Sequence, residues 1–558
     1  MLIPEFRPQP GVALLSVYDK KGIVEFANRL ISLGWKIIAS GGTAKVLREA
    51  SLTVMDVSEL VHGEPILGHR VVTLSREIHA GLLARDTHED TLELKKLGIP
   101  RIDLVCVDLY PLSEAIAAPE RTIHSVTEMT DIGGPTLLRA AAKGNRIVIS
   151  RSIDRSNVLF WLQNGMPNKA QMLRHLAARA EFEVARYCAL SASFLGEGRF
   201  AGFAGELAFN CKYGENPWQK DAALYIAASA KNDYLALDKF VTRIGTDPSY
   251  NNLCDLDRAL QTMTHLAVGL CAGPSRAFLS KGFKLALAVK HGNPCGAAWG
   301  LGLTEEEDVV KRMVTGDPRA IFGGLVMTNF TLTDSCVELL LHHGLPRGQR
   351  RVLDVVAAPN ITEGALKLLE RKNGKCRVMI NWDLEGWSLL AGLDRNPRFR
   401  QVRGGFLLQQ NYTFAPRDWD QYPFIWPKSV DSETKLRLME DLFMAWAIGS
   451  TSNSNTVTLV RNKTLIGNGV GQQDRVSCAE LAVKRARAAG HKTKGAVAYS
   501  DSFFPFVDGP EVLAKAGIAA IMASSGSVND DKVMKFCAKQ GIGLLMLPDA
   551  ECRGFYAH

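Results

Sequence analysis

The chain has 558 residues, of which 46% are hydrophobic and 22% are charged, and this predicts a globular protein of two to four domains. Its formal net charge of +8 is modest for this length, and no dense Lys/Arg block interleaves with aromatic residues. We therefore do not expect a nucleic acid partner, and small anionic substrates account for the charge equally well. No apolar run approaches the length that spans a bilayer, so a membrane partner is not expected either.

Two features of the sequence predict a cytoplasmic protein. The first residues lack the basic segment and the apolar segment of a secretory signal peptide. The eleven cysteines are scattered without any C-x-x-C pair. This distribution indicates reduced thiols rather than a disulfide framework or a zinc ribbon.

The first 150 residues alternate strand and helix patterns. Strands are predicted at 12–18, 35–40, 102–109 and 146–150, and helices at 22–33, 43–50 and 134–143. The alternation indicates a mostly parallel sheet with helices on both faces. Gly-Gly turns at 40–43 and 131–135 adjoin predicted helix starts, where free backbone N–H groups attract phosphate. Such turns also occur without a ligand, so by themselves they leave the function open.

A long amphipathic helical pattern covers 170–194, and a glycine-rich stretch follows at 194–205. We interpret 1–150 as one α/β domain, 151–204 as a helical connector and 205–558 as a second α/β region.

The apolar run 285–289 predicts a buried strand that ends in a loop with Lys290 and His291. Open α/β folds place their sites beyond such strand ends. A lysine supplies a cation, and a histidine exchanges a proton near neutral pH. Together they suit the attack of a weak nucleophile on a carbonyl group. The alternative is a solvated lysine beside a histidine that hydrogen-bonds the turn.

Six motifs in the first half resemble the IMP cyclohydrolase domain of the bifunctional purine enzymes that also carry AICAR transformylase. The motifs are SVYDK at 16–20, SGGTAK at 40–45, DVSEL at 56–60, DLYP at 108–111, DIGG at 131–134 and RAAAK at 139–143. The resemblance implies a methylglyoxal-synthase-like, doubly wound fold for 1–150. The cyclohydrolase site that it implies consists of Lys20, Gly41, Gly42, Thr43, Arg70, Thr73, Tyr110, Asp131 and Lys143.

The sequence departs from that family at two positions of the first half. Val72 stands where the family has a catalytic lysine, and Tyr18 stands where it has a serine. Loss of a cation beside the developing oxyanion predicts weak cyclisation, unless Arg76 or Lys143 replaces it.

The second half resembles the AICAR transformylase domain of the same family. Its motifs are KYGENPWQ at 212–219, DPSYNNLCDLD at 247–257, DPRAIFGG at 317–324, SNSN at 452–455, GVGQQDR at 469–475, DSFFPFVDG at 501–509 and SGSVNDD at 525–531. The resemblance implies two cytidine-deaminase-like α/β subdomains that divide near 400–430. It also implies a homodimer with transformylase sites at the subunit interface.

The transformylase resemblance assigns Lys290 and His291 as the catalytic pair. It assigns contacts to AICAR or folate to Lys212, Tyr213, Phe322, Asp354, Asn455, Arg475, Phe503, Asp508 and Arg553. His558 is a further candidate. Lys212 replaces a family arginine and Trp218 a family histidine. The alternatives are core packing for the two phenylalanines and surface ion pairs for Arg475 and Asp508.

The implied co-substrate is 10-formyltetrahydrofolate, and the family can carry a structural potassium ion. A zinc deaminase is disfavoured because no second cysteine follows Pro294-Cys295 and no H-x-E precedes it nearby. Three interpretations stay open: a transformylase that also cyclises its product, a transformylase with an inactive cyclohydrolase domain, and a non-catalytic nucleotide- or folate-binding homologue. The retained Lys290-His291 pair favours catalysis.

Overall fold

The computed structural model describes residues 11–556 except 69, 228–229, 231, 273–281, 387–388, 391, 417–421 and 423. The chain divides into two compact units between Ala204 and Gly205. No helix among the described residues is both long and apolar enough to cross a membrane.

The sheet of the first unit is parallel throughout its described part. Its strands are β1 (Val12–Ser16), β2 (Lys36–Ala39), β3 (Val54–Asp56), β4 (Leu104–Val107) and β5 (Ile147–Ile149). They lie in the order β3–β2–β1–β4–β5. Every residue of β4 and β5 is buried, as expected where helices cover both faces of a sheet. From β1 the chain first adds β2 and β3 on one side, and it then adds β4 and β5 on the other side of β1. This change makes a crevice at the carboxyl ends of β1 and β4.

Helices surround this sheet. In the described chain they are α1 (Ile23–Ser32), α2 (Gly41–Glu49), α3 (Val57–Val61), α4 (Arg76–Leu83), α5 (His88–Lys96), α6 (Leu112–Ala117), α7 (Ile123–Glu128), α8 (Gly133–Lys143), α9 (Asp154–Gln163) and α10 (Lys169–Leu195). The predicted connector is helical, but α9 and α10 bury Leu162 and Leu176 in the core of the first unit. The two helices are therefore part of that unit's fold.

The second unit is larger and again mixes strands with helices. Up to residue 380 its elements are β6 (Gly205–Asn210), β7 (Ala223–Ala227), β8 (Val241–Ile244), α11 (Tyr250–Ala272), β9 (Phe283–Lys290), β10 (Asn293–Leu301), α12 (Glu306–Thr315), β11 (Leu325–Thr328), α13 (Asp334–His342), β12 (Val355–Ala358), α14 (Glu363–Leu369) and β13 (Arg377–Ile380). Beyond residue 380 they are β14 (Arg398–Val402), β15 (Gly405–Gln409), β16 (Phe424–Ile425), α15 (Ser432–Gly449), β17 (Val457–Arg461), β18 (Thr464–Gly469), α16 (Arg475–Ala488), β19 (Val497–Ser500), α17 (Asp508–Lys515), β20 (Ala520–Ser525), α18 (Asp530–Gln540), β21 (Gly543–Pro548) and α19 (Asp549–Cys552).

Twelve of the described strands form one sheet that contains the same arrangement twice. One half has the order β10–β9–β11–β12–β13, and the other has the order β18–β17–β19–β20–β21. Each half begins with an antiparallel hairpin, continues with a second antiparallel pairing and ends with two parallel pairings. The halves meet where β10 pairs antiparallel with β18, at Ala298 and Thr464. An approximate two-fold axis perpendicular to the sheet therefore relates them.

Two long helices, α11 and α15, pack against each other on one face of this sheet. The second half of α15 is buried all round, as expected for a helix inside a large core. A Cβ atom at Gly269 would lie 3.2 Å from the ring of Trp446, so the small residue permits the close approach. Both helices thus belong to the shared core of the two halves.

The predicted loop after residue 289 is shorter than the sequence suggests. Lys290 pairs with Asn293, so only His291 and Gly292 form the turn, and the following residues belong to β10. Pro294 is tolerated inside this strand because the pairing register shifts between Pro294 and Gly296, and sheets accept proline at such bulges.

The corresponding turn of the second half depends on a buried carboxylate. Asn462 and Lys463 form a two-residue turn between β17 and β18, with φ angles of 50° and 59°. Their N–H groups donate to the two carboxylate oxygens of Asp441 at 2.8 and 2.7 Å. Asp441 is fully buried, and burial raises the pKa of its carboxyl to about 6.

Replacing Asp441 by Asn should remove one pH-dependent contribution to stability. The pKa of this carboxyl is about 6 in the native protein and 3.8 in the ordinary case, so the native state binds more protons between these values. The contribution is therefore present below about pH 4 and is lost as the pH rises through 6. We expect the melting temperature to fall more steeply between pH 4 and 7 for the parent than for Asp441→Asn; parallel curves would contradict this.

Candidate functional site

The carboxyl edge of the first sheet gathers most of the residues that sequence reasoning assigns to a cyclohydrolase site. Tyr18 and Lys20 follow β1, the 41–43 turn follows β2, and Tyr110 follows β4. Asp131 precedes α8 at the same edge, and its N–H donates to the hydroxyl of Tyr187 at 2.8 Å. This edge is the crevice between β1 and β4, where open α/β sheets bind their ligands.

The start of α2 offers donors to an anion. Among the described contacts, the side chain of Ser40 makes no capping bond to the helix, because Ser40 Oγ lies 2.7 Å from Ser16 Oγ instead. The stem of Lys20 lies beside the turn, since a Cβ atom at Gly42 would be 3.9 Å from Lys20 Cε. Thr43 is buried and its hydroxyl bonds the backbone of Val17 at 3.2 Å. The positive end of α2 therefore lies next to Lys20, whose amine donates to the carbonyl oxygen of Val17.

Ionisable groups at this edge are shifted toward their neutral forms. Burial raises the pKa values of Asp108, Asp131 and Tyr110, and burial lowers the pKa of Lys20 against the attraction of Asp108. Asp108 also lies 3.5 Å from the guanidinium of Arg155. Such shifts are typical of functional clefts, where groups exchange protons near neutral pH.

Thr73 lies next to this cluster, but Arg70, Arg76 and Lys143 do not join it. A Cβ atom at Gly133 would lie 2.7 Å from Thr73 Oγ1, so the hydroxyl sits against the start of α8. Arg70 instead pairs with Glu128 at 2.5 Å. Arg76 is exposed and pairs with Glu77 at 3.3 Å. Lys143 ends α8, about 15 Å along the helix axis from its start.

Tyr18 lies at the mouth of the crevice. Its ring is half exposed and lies 5.4 Å from the ring of Tyr110, tilted by 59°. Val72, which stands in the position of the family lysine, is partly buried next to Thr73. The first unit therefore keeps a polar edge with an uncapped helix start. Within the described residues, Arg76 and Lys143 do not bring a replacement for that lysine close to Asp131.

The second unit also collects its candidate residues at one edge of the sheet. β9 ends at Lys290, and β11 and β12 start on the same edge because β11 runs antiparallel to β9. Antiparallel pairing of β10 with β18 brings the start of β17 and the ends of β18 to β21 to this edge as well. The candidate residues that follow from this placement are Lys290, His291, Phe322, Asp354, Asn455, Arg475, Phe503, Asp508 and Arg553.

The Lys290-His291 pair lies at the centre of the first half. Lys290 Nζ donates to the carbonyl oxygen of Phe322 at 2.5 Å. His291 is exposed and occupies the left-handed region with φ 52°. Both residues line a cavity of about 670 Å³. This volume is large enough for a small ligand, and the lining continues along β18 and α16 without any other candidate of the described residues.

Two further candidates, Phe322 and Asp354, lie beside Lys290, and two others, Lys212 and Tyr213, lie near the start of α11. A Cβ atom at Gly323 would lie 3.9 Å from both Lys290 Nζ and Asp354 Oδ2, so the lysine and the carboxylate approach the same backbone. Phe322 is half exposed, as an aromatic platform for a ligand would be. Lys212 Nζ donates to Thr246 Oγ1 at 3.3 Å, and the carbonyl of Tyr213 accepts from the N–H of Tyr250 at 3.0 Å.

The candidates of the second half form another group. Arg475 donates to the buried carboxylate of Asp501 at 2.9 Å. Ser454 donates to the other oxygen of that carboxylate at 2.6 Å, so Asp501 connects Arg475 with the loop that carries Asn455. Burial raises the pKa of Asp501. The guanidinium of Arg553 lies 6.0 Å from the ring centre of Phe503.

The remaining candidates are less enclosed. Asp508 is exposed at the start of α17, and Trp218 is 75% exposed. His558 lies outside the described residues. Sequence reasoning missed Asp255, Asp501 and Asp108, although each lies within a motif quoted for the resemblance. Asp108 and Asp501 each follow directly after the end of a strand, whereas Asp255 lies in the second turn of α11, where the sequence gives no comparable signal.

Cys295 is packed rather than poised for chemistry. Its thiol lies 3.5 Å from the carbonyl oxygen of Ala288, and burial raises its pKa. Among the described residues there is also no group of three His, Cys, Asp or Glu side chains that could hold a metal ion. The potassium ion implied by the resemblance stays a prediction.

Comparison with known proteins places this site in a family. Residues 22–136 match the MGS-like domain, and residues 141–485 match the AICARFT/IMPCHase bienzyme. The bifunctional purine biosynthesis protein PurH of Bacillus cereus (strain ATCC 10987 / NRS 248) is 34% identical over 543 residues, which cover 96% of this chain and 98% of that protein. PurH of Bacillus thuringiensis (strain Al Hakam) is 33% identical over the same shares. The crystal structure of ForH is 34% identical, has a TM-score of 0.31, and covers 34% of this chain and 100% of that chain.

The two family matches follow each other along the chain in the order of the motifs in both units. The identity also exceeds 30% across nearly the full length of the relatives. The predicted α/β fold with an MGS-like first domain is confirmed. The chain belongs to the AICARFT/IMPCHase bienzyme family.

Proposed function

We propose that the second unit transfers a formyl group from 10-formyltetrahydrofolate to the 5-amino group of AICAR. Family membership supports a formyltransferase that uses a folate-type donor. The observation that carries the proposal is the Lys290-His291 pair, which lines one cavity at the sheet edge.

In this reaction the amine nitrogen attacks the formyl carbon, and a tetrahedral intermediate then releases the folate nitrogen. His291 accepts the proton that the amine loses. Lys290 stabilises the negative charge on the formyl oxygen, and a proton returns to the folate nitrogen as the carbon–nitrogen bond breaks. The 2.5 Å bond from Lys290 to the carbonyl of Phe322 supports this role because it holds the amine in one place beside Gly323 and Asp354.

Alanine at Lys290 or at His291 should lower formyl transfer about 100-fold or more, because each group acts on the transition state. AICAR, FAICAR and IMP would be separated after incubation of the enzyme with AICAR and 10-formyltetrahydrofolate. The affinity for AICAR should change much less.

The matched control for this experiment is Lys284→Ala. Lys284 lies at the other end of β9, where it contacts Glu306 at 2.8 Å. Its replacement should leave turnover near the parent value. Near-parental turnover in Lys290→Ala or His291→Ala would contradict the proposed roles.

We further propose that the first unit closes FAICAR to IMP slowly. The positive start of α2, Lys20 and the partly buried acid Asp131 support nucleotide binding there. Val72 lacks the charge that the family lysine brings to the oxyanion. Lys143 and Arg76 are held elsewhere, which supports weak rather than full cyclisation.

Val72→Lys should therefore increase cyclisation, which would be measured with FAICAR as the substrate. The expected gain is about tenfold or more, since an added donor at an oxyanion is worth several kcal/mol in other enzymes. Val72→Met is the control for side-chain length without charge and should stay at the parent rate. Parent enzyme that converts FAICAR as fast as its transformylase supplies it would contradict the proposal.

We also propose a homodimer in which two chains complete each transformylase site. In the order β9–β10–β18–β17–β19, the strand of Lys290 lies four positions from the strand that leads to Asp501. At about 4.8 Å per strand this separation is about 19 Å, too far for one small nucleotide to contact both groups. A second copy that brings its own group would close the gap.

The hairpin β14–β15 supports contact between two copies. It pairs with no other described strand and exposes 62% of Leu407 and 53% of Leu408. An isolated two-stranded hairpin is only marginally stable in water, so an apolar cover from a second copy would stabilise it.

Leu407→Glu should weaken the dimer and lower formyl transfer at low protein concentration, because a charge would enter the proposed interface. Light scattering and activity across a dilution series would measure both effects. Leu303 is 99% exposed and follows the end of β10, at the sheet edge opposite to Lys290. Leu303→Glu is the control and should change neither the dimer nor formyl transfer. A fully active monomer would contradict the proposal.

A further inference from the structure

The two halves of the second unit hold their hairpin turns in the same way. His291 and Gly292 connect β9 with β10, just as Asn462 and Lys463 connect β17 with β18. All four residues have positive φ angles, between 50° and 68°. In both halves an aspartate from the helix that packs on the hairpin accepts backbone N–H groups of the turn. The aspartate of the first half is Asp255, on α11.

The contact at the first turn is short and direct. The N–H of Gly292 donates to Asp255 Oδ1 at 2.7 Å, and the N–H of His291 also faces this carboxylate. A left-handed conformation costs a non-glycine residue such as His291 about 1–2 kcal/mol. Hydrogen bonds to a charged group, worth about 1.5–3 kcal/mol, are sufficient to hold it.

The two turns differ in what they carry. Asp441 is fully buried and holds a turn that belongs to no candidate site. Asp255 holds the turn that presents His291 at the cavity edge. The same structural device therefore supports the fold in one half and a reacting side chain in the other.

A second set of bonds holds the other side of the His291 turn. Asn293 donates from Nδ2 to the carbonyl of His291 at 3.1 Å, and its Oδ1 accepts from the N–H of Asn453 at 3.0 Å. Arg258, one helical turn after Asp255, donates to Asn453 Oδ1 at 3.1 Å. The helix thus contacts the turn directly through its aspartate and indirectly through its arginine, which limits how far His291 can move.

We propose that Asp255 is a positioning residue for formyl transfer, which acts by fixing the backbone of His291 so that the imidazole meets the amine of AICAR. The inference rests on the proposed function of this site. Asp255 acts through His291 and touches neither substrate. Loss of the Asp255 carboxylate displaces the imidazole of His291, which is still present in the variant.

Steady-state kinetics with AICAR and 10-formyltetrahydrofolate test this role. Asp255→Ala should lower kcat about 100-fold, the effect of a misplacement of about 1 Å, while the KM for AICAR stays within about twofold. Asp255→Asn keeps one oxygen that accepts an N–H group, so it should restore about a tenth of the parent kcat or more. This partial rescue separates positioning from general stability.

Asp441→Asn and Asp257→Asn are the controls. Asp441→Asn leaves one oxygen for the two N–H groups of the turn, so it weakens the same device in the non-catalytic half and should lower the melting temperature while the folded enzyme keeps its kcat. Asp257 lies on α11 like Asp255, but it pairs with Arg398 at 3.3 Å instead of the turn. Asp257→Asn is therefore the second control, for the case that Asp441→Asn does not fold. The inference would be overturned if Asp255→Ala kept the kcat of the parent, whether its melting temperature stayed the same or fell.

The same measurements distinguish the two proposals. An active parent enzyme with unaffected Asp255 variants would leave formyl transfer in place and refute only the positioning role. A parent enzyme without turnover on AICAR would refute the proposed function and the inference with it.

Discussion

The antiparallel pairing of β10 with β18 is the constraint on which the second unit depends. It joins two equivalent halves into one sheet, and it sets their relative direction. Since strand direction alternates through this junction, the end of β9 and the start of β17 lie at the same edge. The loops that carry the candidate residues of both halves are thereby collected on one side, and within the described part of the chain the opposite edge carries none of them.

Burial then decides the chemistry of the polar groups on that edge. Burial raises the pKa values of the carboxyl groups of Asp255 and Asp501. The fold accommodates both groups because a backbone N–H donates to Asp255 and a guanidinium N–H donates to Asp501. A buried charge without such partners would cost several kcal/mol. Their contacts hold the backbone of His291 and the side chain of Arg475. The polar core at the sheet edge therefore holds the candidate site residues in place.

The first unit reaches a similar result by a different topology. Its parallel strands place all carboxyl ends together, and the reversal between β1 and β4 opens the crevice. Helix starts, Lys20 and Asp131 meet there. Because α8 runs away from this edge, its last residue, Lys143, lies at the far end of the domain.

The sequence by itself determined the alternation of strands and helices in the first unit, the long helix α10 and the Lys290-His291 pair, since local periodicity and motif order are sufficient for these. It could not show that the predicted loop after residue 289 is a two-residue turn, His291 and Gly292, followed by a strand, because that depends on pairing with β9. Nor could it separate Asp255 from the neighbouring Asp257, since two acids in one motif look alike. Only the tertiary structure decided which carboxylate faces the turn, because long-range packing of α11 on the hairpin, and not local sequence, sets that contact.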